Sequence, residues 1–174
     1  MNSKIKISFL VTVIAVLGGC GESKQSAGES NKSQVVVAIV QDNFSSVTTR
    51  LSDPAFGGVD GINGVTSPKP GSVIPISGEK IEIAGNYVDA VKGAAAAGVV
   101  VMIGSKPFVA IYGGERPDIA KALNNPKYLK SQFYVAVPTS AVGKGIHDLK
   151  IRVIANDKSG YYESGLIAKL DIKQ

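Results

Sequence analysis

Tryptophan is absent from this chain, and cysteine and histidine occur once each, at Cys20 and His147. A single histidine excludes a histidine pair on a metal, and any Ser-His-Asp constellation has to use His147. A single cysteine excludes an intramolecular disulfide and a thiolate zinc centre. No apolar run approaches the roughly twenty residues needed to cross a hydrocarbon core about 30 Å thick. There is no Lys/Arg-rich run either, so the formal charge of +5 is too mild and too scattered for a nucleic-acid partner. The Gly-x-Ser-x-Gly elbow is missing. Val142-Gly143-Lys144-Gly145 lacks the spacing of a phosphate-binding loop and reads as a hairpin turn.

The N-terminus carries the most specific pattern in the chain. Lys4 and Lys6 precede an apolar stretch from Ile7 to Leu17, and Gly18-Gly19 lies just before Cys20. A positive start, a short apolar run and small residues at the end make a cleaved export signal. The run Leu17-Gly18-Gly19-Cys20 resembles the lipobox of bacterial lipoproteins. That resemblance implies a thioether-linked diacylglycerol on Cys20 and an acyl chain on its new amino group. One acyl chain holds a membrane reversibly, whereas two or more anchor stably. Gly21 stands where an aspartate would suggest retention at the inner membrane. By analogy with enteric bacteria it points to the outer membrane, facing the periplasm.

Composition divides the chain into a signal at 1–19, a lipidated cysteine and linker at 20–34, a neck or edge segment at 35–55, and one domain at 56–174. Residues 21–34 are dominated by Ser, Gly, Glu and Lys and cannot build a core. As a flexible coil they span roughly 20 Å. Val35–Val40 is a continuous β-branched run open to either strand or helix. Asp42 suits a helix cap, with Phe44, Val47 and Leu51 at helical spacing before Asp53-Pro54.

From Phe56 the pattern changes to short β-type runs. Residues 57–71 are rich in glycine and proline and predict an irregular loop with at most a short strand. Strands are predicted at Ser72–Ile76, Lys80–Ala84, Gly98–Ile103, Phe108–Tyr112, Phe133–Val137, Ile146–Ala155 and Leu166–Ile172. Gly98–Ile103 is apolar on both faces, which marks a central strand. Arg116–Leu123 is the one persuasive helix, with Pro117 in its first turn, Asp118 complementing its dipole and Asn124-Asn125-Pro126 ending it. About seven short strands with Gly/Pro turns predict an all-β, immunoglobulin-like β-sandwich with one short crossover helix.

The domain also resembles a family of bacterial immunoglobulin-like accessory domains of cell-envelope proteins, found at the C-terminus of some membrane glycosyltransferases. The residues that carry the resemblance begin with Asp60-Gly61-Ile62-Asn63-Gly64, then Ile83-Ala84-Gly85 with Asp89. Val99–Ile103 follows with Gly104 and Lys106, then Tyr112-Gly113 before Arg116-Pro117-Asp118-Ile119-Ala120. Asn125-Pro126 with Tyr128, Ser131 and Phe133 come next. The pattern closes with Gly145, His147, Leu149 and Arg152, and with Tyr161-Tyr162-Glu163. Asn86 departs from it, standing where a tryptophan packed between the sheets is expected, and Tyr87 is placed to fill that space. The resemblance implies a recognition or positioning module with no catalytic residues.

The residues themselves point the same way. His147 reads as a strand-edge side chain closing a turn, because Asp148 faces the opposite side of the strand and cannot orient its ring. Asp53, Asp60, Asn63 and Asp89 fall short of the six to eight oxygens that calcium takes. Arg116 and Asp118 read as a capped helix start, or as an arginine presented to an acidic partner. Tyr112, Tyr128, Tyr134, Tyr161 and Tyr162 are the aromatics placed to reach the surface, with one ring of the Tyr161-Tyr162 pair turned inward and the other outward. The expected protein is a non-enzymatic, lipid-anchored envelope protein without cofactor or metal. Its sandwich binds or positions a protein at the membrane surface, or alternatively a glycan, through Tyr112, Arg116, Asp118, Tyr161 and Tyr162.

Overall fold

Among the described residues, twelve strands form two six-stranded sheets, and helix is confined to short connections. The computed structural model describes residues 44–173, which fall within one unit covering 36–174. Cys20, the signal, the linker and Val35–Val40 lie outside the described residues.

The first sheet runs β2 (Val65–Thr66), β1 (Phe56–Ile62), β4 (Lys80–Asp89), β9 (Gln132–Pro138) and β8 (Ile111–Gly114), with β5 (Ala94–Ala95) pairing β4. The second runs β3 (Ser72–Ile76), β12 (Ala168–Ile172), β10 (Gly145–Ile154), β6 (Gly98–Ile103) and β7 (Lys106–Val109), with β11 (Tyr161–Glu163) pairing β10. Neighbouring strands are antiparallel except β3 and β12, which are parallel. The helix α1 (Pro117–Ala122) and a 3-10 turn at Pro126–Tyr128 join β8 to its own neighbour β9, and α2 (Thr139–Val142) joins β9 to β10.

Alternation puts one side of each strand into the core. Leu149, Ile151 and Val153 of β10 stand opposite Ile103, Val101 and Val99 of β6, all fully buried or nearly so. Ile81 and Ile83 of β4 pair with Val137 and Val135 of β9, and they join the same cluster. Each such side chain contributes about 1.5–3 kcal/mol on burial. Tyr87 and Phe133 pack at 5.9 Å between ring centroids. Tyr87 is 1 % exposed while Asn86 points to the other side of β4, so the core aromatic is one residue along from the expected tryptophan position.

Four expectations need correction. The helix α1 is not a crossover, because it joins two adjacent strands, β8 and β9, of one sheet. Residues 57–71 contain a full strand, β1, paired along β4 despite its three glycines, because backbone hydrogen bonding to β4 needs no side chain. Phe108–Tyr112 is two strands, since the chain passes from the second sheet to the first at the small, buried Ala110. Phe44, Val47 and Leu51 do not form a helix. Residues 44–46 make a turn, and the chain then runs extended to an isolated parallel bridge between Arg50 and Tyr161. Phe44 and Val47 pack with Val100, Met102, Ile154 and Tyr161, which covers the outer side of β6 and explains its burial on both faces.

Candidate functional site

Arg116 is committed within the molecule. Its Nε and Nη2 donate to the Asp118 carboxylate at 2.9 and 2.7 Å, and Nη1 donates to Asp60 at 2.6 Å. The side chain is 18 % exposed. This fork ties the start of α1 to β1, which is separated from β8 by both β9 and β4 in the sheet. The guanidinium holds the Asp118 carboxyl down to about 2. Two carboxylates on one cation leave no positive charge to offer an acidic partner, so Arg116 and Asp118 form a structural clasp.

None of the tyrosines named as candidates offers a free ring to solvent: Tyr112 is half-buried, and Tyr161 and Tyr162 are buried. Tyr112 donates to the Tyr87 carbonyl at 2.7 Å and accepts from the Ala96 N–H at 3.0 Å, and burial pushes its phenol up to about 12. Tyr161 and Tyr162 do point to opposite sides of β11, but both are buried, at 9 % and 3 % exposure. Tyr162 enters the main core, whereas the segment carrying Phe44 and Val47 roofs over Tyr161. Burial, followed by a hydrogen bond to the Asp89 carboxylate, pushes the Tyr162 phenol up to about 12. No sequence signal separates a strand face turned to solvent from one covered by a distant segment.

Asp89 is fully buried and accepts from the Lys92 and Asn156 N–H groups at 3.0 and 2.8 Å, while Asn63 accepts from the Glu82 N–H and donates to the Lys80 carbonyl. With Asp60 on Arg116 and Asp53 accepting from the Ser52 hydroxyl, the four suggested calcium ligands are separately employed. Among the described residues, no group of three or more His, Cys, Asp or Glu is arranged to hold a metal.

His147 donates from Nε2 to the Gly143 carbonyl at 3.0 Å, closing the turn before β10. Asp148, next along, binds Lys169 at 2.9 Å instead. The outer face of β10 around these residues forms an open basin of about 610 Å3, with Met102, Ile146, Lys150, Arg152 and Glu163 among its walls. That size suits a ligand or a peptide side chain. Glu163, only 10 % exposed, is shared by Arg152 at 3.1 Å, Arg50 at 3.6 Å and Lys150 at 3.7 Å. Arg152 also lies over the Tyr161 ring at 4.6 Å. Lys150 and Arg152 line the basin and Arg50 reaches the same carboxylate from beside it, while Asp148 in the lining is paired with Lys169, so the cations around Glu163 outnumber it. Sequence reasoning missed this cluster because Arg50 and Glu163 come from segments far apart in the chain.

The first sheet has a different outer face. Ala84, Tyr134 and Ile111 align across β4, β9 and β8, and Tyr134 and Ile111 are 38 % and 58 % exposed. Tyr134 donates to Glu82 at 2.7 Å, beside Lys80 on the same carboxylate. Lys80 and Tyr134 together hold the Glu82 carboxyl below its ordinary range.

No family model matches this chain, and no curated protein does. Among solved structures it is similar to the endo-beta-1,4-mannanase from Thermotoga petrophila, with a TM-score of 0.41 and 11 % identity over 71 % of this chain and 21 % of that one. The chain spans about a fifth of the mannanase's length, and a likeness at this level says nothing of shared activity.

Proposed function

We propose that this chain is a lipid-anchored, non-enzymatic protein of the bacterial cell envelope, held at the outer membrane through Cys20 and facing the periplasm. Its immunoglobulin-like sandwich binds or positions a protein partner at the membrane surface. The strand order supports the immunoglobulin-like reading. In one sheet β1, β4, β9 and β8 follow the A-B-E-D order of that fold, and β12, β10 and β6 follow its G-F-C order in the other. The observation that carries the binding reading is the open basin on β10, where cations outnumber the carboxylate they share.

Labelled palmitate should enter the protein in growing cells and not enter a Cys20→Ala variant. Crosslinking in intact cells should capture an envelope protein above background. Capture of nothing removes the partner reading, and labelling of Cys20→Ala removes the anchor.

One observation favours glycan binding as a second reading. Tyr134 is an exposed ring with its hydroxyl fixed by Glu82, and rings of that kind combine an apolar face with polar edges. Glycan-array signal lost on Tyr134→Ala would support it. Silence of the wild-type protein on the same array would end it.

A further inference from the structure

We infer that the basin on β10 takes an acidic segment of the partner protein, with a carboxylate on Lys150 and Arg152 and an apolar neighbour against Ile146. This rests on the reading of the chain as a partner-binding protein and names the chemistry of the partner. Charge complementarity favours an acidic occupant. Around the basin, Asp148 is matched by Lys169 at 2.9 Å and Asp171 by Lys173 at 3.3 Å. Glu163 alone answers Arg50, Lys150 and Arg152, and among the described residues no other carboxylate lies within salt-bridge distance of these three.

Glu163 is nearly closed off at 10 % exposure, while the Lys150 and Arg50 side chains stay 43 % and 63 % exposed. Their donors therefore face the solvent side, where an incoming anion meets them. Arg152 is held in place by Glu163 and by the Tyr161 ring beneath it, so it costs little further ordering on binding. Ile146 is 61 % exposed on the same face of β10 and gives the basin an apolar wall. An acidic peptide with a hydrophobic residue beside its carboxylate matches both walls.

An anionic lipid surface is the competing source of negative charge. Headgroup binding commonly uses clusters of roughly four to eight basic residues, more than this basin offers. The basin is also concave, whereas a headgroup layer is flat.

The test uses the full chain in detergent and a fluorescent peptide of alternating Glu and Leu, with a Gln and Leu peptide as control. The acidic peptide should bind, weaken with added salt, and lose about tenfold in affinity on Lys150→Gln with Arg152→Gln. Glu163→Gln removes the internal competitor and should tighten binding, an effect that simple loss of folding cannot produce. Equal binding of both peptides, or no effect of the three substitutions, overturns the inference. So does binding of a Cys20→Ser chain to phosphatidylglycerol vesicles with no binding of the acidic peptide. Crosslinking in cells separates the two levels. Capture that survives Lys150→Gln with Arg152→Gln retains the partner reading and sinks the basin, whereas no capture by the unaltered chain sinks the partner reading itself.

Discussion

Asp89 shows how much a single side chain settles in this molecule. It is a carboxylate with no exposure and, among the described residues, no cation within salt-bridge distance. What stabilises it is a pair of donors, the Lys92 and Asn156 N–H groups. These come from the turn after β4 and the turn after β10, so one side chain fastens both sheets at one end. Asp89→Asn turns an amide toward one of those donors and leaves it unsatisfied. The expected loss is about 1–3 kcal/mol in urea unfolding.

At the scale of elements, the segment 44–51 is specified by the glycines beneath it. The Phe44 ring lies so close to Gly98 that a Cβ there would run into it, and a Cβ on Gly160 would stand 2.6 Å from the Thr49 carbonyl. Leu51 and Tyr161 complete the seat by hydrogen bonds of 2.9 Å to and from the facing backbone. The Phe44 ring can swing aside, but the Thr49 carbonyl belongs to backbone. Gly160→Ala should therefore cost more, about 1–3 kcal/mol, with faster amide hydrogen exchange at Leu51 and Tyr161. Gly98→Ala should mainly expose the Phe44 ring. The Arg116 clasp on α1 makes a prediction in acid. Asp118 is held at about 2, below its ordinary 3.8, so its stabilisation is complete above the ordinary value and is lost as pH falls through about 2. Arg116→Met should remove this component, and unfolding midpoints measured between pH 4 and pH 2 should then fall less steeply than in the unaltered chain.

For the whole molecule, the two sheets enclose phenols that resist ionisation. Burial raises Tyr87, Tyr112 and Tyr162 to about 12 from an ordinary 10.0. A raised folded value means the stabilisation is complete below pH 10 and is lost as pH climbs through about 12, because the unfolded chain releases those protons first. Alkaline unfolding should set in across that interval, with phenolate absorbance and loss of β-sheet circular dichroism rising together. Tyr134, exposed on the first sheet, is raised chiefly by its hydrogen bond to Glu82 and should ionise without unfolding the chain. Simultaneous early ionisation of all the tyrosines would contradict the buried placement of the three.

The limits of β3 and β6, the position of α1 and the all-β class were legible because each depends on neighbours in sequence: β-branched alternation, and proline punctuation around a short helical run. The strand β1 was not, since its glycines carry no local β signal and its pairing partner lies beyond a loop. The candidate site was less legible still. Tyr161 and Tyr162 alternate as expected, yet both are covered, one by the opposing sheet and the other by the segment before β1. Arg116 is a single charged letter in the sequence, and whether it is offered outward or clasped is decided by Asp60 fifty-six residues away. Sequence alone fixed period, punctuation and the inventory of reactive groups, because these are properties of a residue and its nearest neighbours. Tertiary structure alone decided exposure and charge pairing, because both depend on which distant segments share a surface.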